Sequence, residues 1–134
     1  MQDDRHSRYD RGLARLAQVD GQAGDTVIQA LEGIAPAMGR YVIEFGFGDI
    51  YSRPGLELRD REIATVAALT AMGTAAPQLR VHLEGALNVG VTPTEIVEII
   101  MQMGLYDGFP AALNGLFLAK EVFAARNLVA TPAP

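Results

Sequence analysis

The chain has 134 residues, with 11 basic and 16 acidic side chains, two histidines and neither cysteine nor tryptophan, a length that fits one domain. Without cysteine there is no disulfide, thiolate metal site or thiol redox chemistry, and two histidines are too few for a three-histidine zinc centre. A formal charge of −5 argues against nucleic acid as a partner, whereas a small anion remains allowed because the field inside a pocket is local. The run from Ile63 to Gln78 has no charged side chain but carries Thr70, Gly73, Thr74 and Pro77. It is too short to cross a bilayer. The stretch Met1 to Asp10 is polar and charged and does not read as a signal peptide, so a cytoplasmic protein with no membrane partner is expected.

The hydrophobic pattern is helical throughout, and alternating β-branched runs are missing. A first helix is predicted from His6 to Val19, ending before Asp20-Gly21. A second begins near Asp25 and carries Val27, Ile28, Leu31 and Ile34. Pro36 restarts the chain as a third helix, with Tyr41, Val42 and Phe45 at helical spacing; it ends between Gly46 and Tyr51. Ser52-Arg53-Pro54-Gly55 reads as a loop, because the residue before proline is pushed out of the α region and Pro-Gly favours a turn. A fourth helix starts around Arg59-Asp60 and is nearly apolar all round from Ile63 to Met72, which predicts a buried central helix; Gly73 ends it. A fifth runs from Ala76 to Val89, with Leu79, Leu83, Ala86 and Leu87 on one face and Gly90 closing it. Thr92-Pro93-Thr94-Glu95 is a helix start in which Thr92 caps, Pro93 takes the first helical position and Glu95 completes a capping box. The last helix runs from Pro110 to Arg126, and the Ala/Pro-rich residues 128–134 are expected to fray.

The expected fold is thus all-α, with six or seven helices in a single domain over residues 1–127. Several helices are apolar on more than one side, more than a chain this small can hide. This predicts a homo-oligomer with an extensive helical interface.

His82 lies on the border of the fifth helix's apolar face, one turn after Leu79. There it either meets a pocket and titrates near neutral pH or packs in the core against a backbone carbonyl. Glu62 opens the fourth helix. It is either a first-turn acid favoured by the helix dipole or a buried general base. Arg53, Arg59 and Arg61 bracket the Pro-Gly loop, with Arg80 further on. They can hold a carboxylate bidentately or form a solvated turn with Glu57, Asp60 and Glu62. Phe45, Phe47 and Tyr51 are either core or a ring platform, and Arg8, Arg11 and Arg15 near one face of the first helix read as solvated. Asp107 either caps the last helix or points into the same pocket as Tyr106. A divalent ion held by His82, Glu62 and Asp107 is a further possibility, but no motif for metal, phosphate or nucleotide is present. Gly-Phe-Gly at 46–48 lacks the strand and the third glycine of a dinucleotide site.

Three blocks of residues go further. The first is Phe47-Gly48-Asp49-Ile50-Tyr51-Ser52-Arg53-Pro54-Gly55-Leu56, followed by Arg61. The second is Leu79-Arg80-Val81-His82 through Ala86, then Asn88 and Gly90-Val91-Thr92. The third is Tyr106, Gly108, Pro110-Ala111-Ala112 and Ala119 to Val122, and Tyr9-Asp10-Arg11-Gly12 precedes them all. Together they resemble the carboxymuconolactone decarboxylase family within the AhpD-like superfamily.

The resemblance implies an all-α fold assembled as a hexamer, a trimer of dimers. The family's peroxidase branch carries a Cys-x-x-Cys pair where this chain has Ala75 and Gln78, so peroxidase chemistry is excluded and Glu62 and His82 remain as an acid–base pair. The decarboxylase branch converts 4-carboxymuconolactone to an enol-lactone without a cofactor. By resemblance, His82 and Glu62 are the catalytic residues, and Arg53 and Arg61 hold a substrate carboxylate. Phe47, Tyr51, Tyr106 and Asp107 complete the substrate site, with no metal and no cofactor.

The chain departs from the decarboxylase pattern at Leu16 and Ala17 (a basic pair there), at Phe47 and Tyr51 (tryptophans), at Glu62 (serine), at Glu84 (a basic residue) and at Asp107 (cysteine). These changes remove positive and add negative charge, so a less charged lactone or carbonyl substrate is expected. The expected function is a cofactor-independent lyase or isomerase acting on an enolisable lactone or carbonyl compound. The alternative is a non-catalytic helical binding or assembly module.

Overall fold

The computed structural model describes residues 2–134. Among these residues the chain forms α1 (Gln2–Val19), α2 (Gly21–Glu32), α3 (Pro36–Tyr41), a π-helix (Val42–Ile50), α4 (Leu58–Met72), α5 (Ala76–Asn88), α6 (Pro93–Asp107) and α7 (Phe109–Ala125), with no strand. The all-α expectation holds. Among the described residues no helix is long and apolar enough to cross a membrane. The chain divides into two compact units, one running to Leu58 and the other Arg59–Pro134.

In the first unit, Gly21 takes the left-handed φ of +54°. This lets α2 start directly after Asp20, earlier than the expected Asp25. The third helix was expected to end between Gly46 and Tyr51. The helical stretch does end there, at Ile50, but its second half is a π-helix that follows α3 without a break, and the Tyr51 amide reaches back five residues to the Gly46 carbonyl at 2.9 Å. Two glycines seat this segment on α1. A Cβ on Gly12 would stand 1.9 Å from the Ile43 carbonyl oxygen, and one on Gly48 would stand 2.6 Å from the Arg8 carbonyl oxygen. The two backbones therefore touch, and Leu16, Val19, Ile43 and Phe47 are buried.

Three arginines of α1, expected to be merely solvated, grip the same segment. Arg8 donates from both Nε and Nη2 to the Asp49 carboxylate at 3.0 and 2.5 Å, the bidentate geometry that a guanidinium favours. Arg11 donates to the Gly48 carbonyl at 2.8 Å and Arg15 to the Ser52 hydroxyl at 3.5 Å. Ser52 in turn donates to the Phe47 carbonyl at 2.7 Å. Within Gly46-Phe47-Gly48, Gly48 thus serves backbone packing.

The second unit has its own apolar core, in which Val66 of α4, Leu79, Leu83 and Ala86 of α5, Ile96 and Ile100 of α6 and Val122 and Phe123 of α7 cluster. Here α4 corrects the expectation of a helix buried all round. It buries one stripe, Glu62, Val66 and Thr70, while Ala64, Ala68 and Met72 are exposed. An alanine face looks apolar in sequence yet costs little when left in water. The start of α6 is as expected: Thr92 Oγ1 accepts from the Glu95 amide at 3.1 Å, and the Glu95 carboxylate accepts from the Thr92 amide at 3.0 Å. Arg59 reaches the same carboxylate from α4. α5 and α7 are tied by Arg80 to Glu121 and by Arg126 to Glu84.

The segment after α7 lies back along this unit. Asn127 adopts φ +54°. The Leu128 amide donates to the Phe123 carbonyl at 2.9 Å and the Asn127 amide to Ala124 at 3.2 Å, which is a Schellman C-cap. Further on, the Thr131 amide donates to Thr94 Oγ1 at 2.9 Å.

Candidate active site

Glu62 is the first residue of the buried stripe on α4, and His82 follows Leu79 by one turn on α5. The two side chains meet. His82 Nδ1 lies 3.2 and 3.1 Å from the two oxygens of the Glu62 carboxylate. Glu62 is wholly buried, whereas the imidazole retains 20% of its exposure. An ionised carboxylate only accepts, and opposite one Nδ1 is the donor of this contact.

This pairing bears on both open readings. His82 meets the Glu62 carboxylate through Nδ1. Glu62 lies beyond the first turn of α4, where Asp60 is the acid that the dipole favours.

The remaining candidates fall into different places. In the first unit, Phe47 is buried and Tyr51 half-buried, and their rings meet at a tilt, with centroids 5.1 Å apart and planes at 39°. Phe45 is exposed. Arg53 is exposed in the loop ahead of α4. In the second unit, Arg61 is half-buried on α4, and its carbonyl accepts from Thr65 Oγ1 at 2.9 Å.

Tyr106 and Asp107 are the last residues of α6, and both are exposed. Asp107 does not cap α7: that place is taken by Gly108, at φ +93°, with no side-chain cap. Nor, among the described residues, does Asp107 join Glu62 and His82 in a cluster of metal-ligating atoms, so that three-ligand site is not formed.

Two charge changes also read differently. Glu84 is engaged by Arg126, which donates to its carboxylate at 3.0 Å, so its negative charge is offset locally. Leu16 is a core residue, 2% exposed, where a basic side chain would be costly.

The residues that sequence reasoning missed are those that shape the π-helix, Arg8, Arg11 and Gly12. Their signal was present as two glycines, Gly12 and Gly48, in segments that only the fold brings together.

Comparison with known proteins supplies the context for this pair. Residues 36–121 match the family described as the carboxymuconolactone decarboxylase family. The chain is 34% identical over 117 residues to 4-carboxymuconolactone decarboxylase of Acinetobacter baylyi, covering 87% of each. It is 37% identical over 101 residues to an uncharacterised 15.0 kDa protein of Paracoccus denitrificans, covering 75% of each. It is 29% identical over 123 residues to the nitrosuccinic acid decarboxylase of Metarhizium robertsii, covering 89% of this chain and 84% of that one.

Proposed function

The chain belongs to the carboxymuconolactone decarboxylase family, and on that premise we propose that it removes carbon dioxide from, or transfers a proton on, an enolisable lactone or carbonyl acid without a cofactor. The observation that carries this reading is the Glu62–His82 pair, a titratable imidazole held at Nδ1 by a fully buried carboxylate.

The two decarboxylase relatives are named for 4-carboxymuconolactone and nitrosuccinic acid. Both compounds carry a carboxylate whose departure leaves electrons on a carbon that an acceptor group stabilises, a conjugated lactone carbonyl in one and a nitro group in the other. The substrate class for this chain is therefore a carboxylate of that kind. The bond between carbon and the carboxylate breaks and carbon dioxide leaves. The electron pair moves into the conjugated acceptor as an enolate, and one proton returns to carbon.

His82 delivers that proton from Nε2 while Glu62 keeps Nδ1–H. The neutral imidazole then regains a proton from solvent. Arg61, on the same helix as Glu62, holds a substrate carboxylate, and Arg53, Phe47 and Tyr51 keep the substrate-binding roles that the family resemblance implies. The family resemblance also assigns Tyr106 and Asp107, exposed at the end of α6, to the substrate site.

The protein works as a homo-oligomer, the hexamer of the family resemblance being the specific proposal. Leu105, Phe109 and Phe117, at 77, 76 and 61% exposure, supply apolar surface for it, and light scattering on the purified chain tests it. The chemistry is tested by following the ultraviolet absorbance of a conjugated carboxylactone with His82→Ala and Glu62→Gln. Each variant is expected to lower kcat about 10²- to 10⁴-fold, the usual contribution of a positioned acid–base group. Full activity in both variants, with the assembly intact, would refute the pair. Failure of the unmodified protein to turn over a conjugated lactone acid, a nitro acid and a keto acid alike would refute the substrate class.

A further inference from the structure

Lys120 is the only lysine in the chain. It is exposed on α7 and lines an apolar cleft of about 330 Å3 within the second unit. The walls are Val97 of α6, Leu116 and Phe123 of α7, and Leu128 and Val129 of the returning C-terminal segment. The shape of the cleft follows from the Schellman cap. Asn127 in the left-handed region turns the chain back, the Leu128 amide binds the Phe123 carbonyl, and the side chains of these two residues line the same hollow. The Thr131 amide on Thr94 Oγ1 holds the segment in place beyond the cleft.

Lys120 is the sole charged member of that lining. The residues three and four positions away on α7 are Leu116, Phe117, Phe123 and Ala124, so no i,i+4 acid neutralises it. Its neighbour Glu121 is engaged by Arg80, and among the described residues no ion pair involves Lys120. A hollow of this volume lies at the small end of ligand pockets. Apolar walls gain by excluding water, and an ammonium without an internal partner gains by meeting an anion.

We propose that this cleft is a second binding site, separate from the Glu62–His82 pair. It takes a small monocarboxylic acid with an apolar chain or ring: the apolar body lies against Val97, Leu116, Phe123 and Leu128, and the carboxylate sits on Lys120. The site stands independently of the decarboxylase reading, since its test reads binding and not turnover.

The probes are octanoate and anilinonaphthalene sulfonate, which joins apolar rings to an anion. Saturable fluorescence of the sulfonate with the full chain, displaced by octanoate, is the expected result. Lys120→Gln is expected to weaken octanoate about tenfold, the loss of one charge-assisted contact, while Lys120→Arg retains binding and neutral octanol binds both alike. Ala124→Phe, at an exposed position on the lining, fills the hollow and abolishes binding without unfolding the chain, as circular dichroism will verify.

Because there is a single lysine, peptide mapping after amine acylation reads this site directly. Octanoate is expected to slow acylation of Lys120. Non-saturable binding, binding indifferent to Lys120→Gln and Ala124→Phe, or unaltered acylation would each overturn the proposal. So would a change of oligomeric state in Ala124→Phe without any octanoate effect, which would make the cleft a contact between copies of the chain.

Discussion

In the first unit the carboxylate of Asp49 meets Arg8 and Arg11 with about a third of each of the Arg8 and Asp49 side chains exposed; in the second, Glu62 meets His82 with no exposure of its own. Both are carboxylates with a nitrogen near 3 Å. What separates them is whether the cation can let go of its proton. A guanidinium stays charged at any pH the fold survives. Its hydrogen bond holds the Asp49 carboxyl below the usual carboxylate range, so this contact is a strut that fixes the π-helix to α1. An imidazole gains and loses a proton near neutral pH. The same geometry, buried and with a titratable partner, is what the proposed acid–base role of Glu62 and His82 rests on.

The comparison breaks first at Gly12. If the first unit is held by backbone contact between α1 and the π-helix, Gly12→Ala must force them apart, because the added carbon would lie 1.9 Å from the Ile43 carbonyl oxygen. Backbone atoms cannot swing aside as a side chain can, so overpacking of this kind is expected to cost about 3 kcal/mol. The measurement is a urea unfolding midpoint, with hydrogen exchange locating the loss in residues 2–58. An unchanged midpoint would mean that the arginines alone hold the segment.

A smaller effect sharpens the electrostatic half of the comparison. Within the second unit, Glu95 is also a strut: the hydrogen bond from Arg59, then that from the Thr92 amide, pulls its carboxyl down to about 2 from an ordinary 4.5. A carboxyl lowered by folding stabilises the fold above its unfolded value, and that stabilisation is lost as pH falls through the folded one. The contribution is therefore complete above about pH 4.5 and disappears towards pH 2. Glu95→Gln is expected to lower the urea midpoint at pH 6 and to flatten its decline between pH 4.5 and pH 2. An identical acid slope in both proteins would show that Glu95 bears no load.

Local signals were the legible ones. Thr92 to Glu95 could be read as a capping box because all its contacts lie within four residues. Gly108 ended one helix and began the next as an isolated left-handed residue, and the single-residue link was not visible. It left Tyr106 and Asp107 on the surface, at the end of α6. The Glu62–His82 contact spans 20 residues, and each partner could be named from its place on a helix face although their meeting could not be read from either alone. The π-helix was illegible for a related reason. Its partners Arg8 and Arg11 are 41 and 37 residues away, and a period of 3.6 is the only helical signal that hydrophobic spacing carries. The burial of α4 was misread because alanine counts as apolar in a pattern but carries little area to hide.

The smallest effect concerns the other polar residue on the same buried stripe of α4. Thr70 is 2% exposed, and its hydroxyl has no hydrogen-bond partner among the described residues. It lies against α7, where a Cβ on Gly115 would stand 3.2 Å from Thr70 Cγ2. A buried hydroxyl without a partner costs free energy that a methyl of similar size does not. Thr70→Val is thus expected to raise stability by about 1 kcal/mol and to leave kcat untouched, in contrast to Glu62→Gln two turns earlier. That contrast isolates function to the one buried polar group on α4 that has a titratable partner. If Thr70→Val instead lowers kcat, the hydroxyl finds its partner only in the working protein, and the polar stripe of α4 would extend the proton path beyond Glu62.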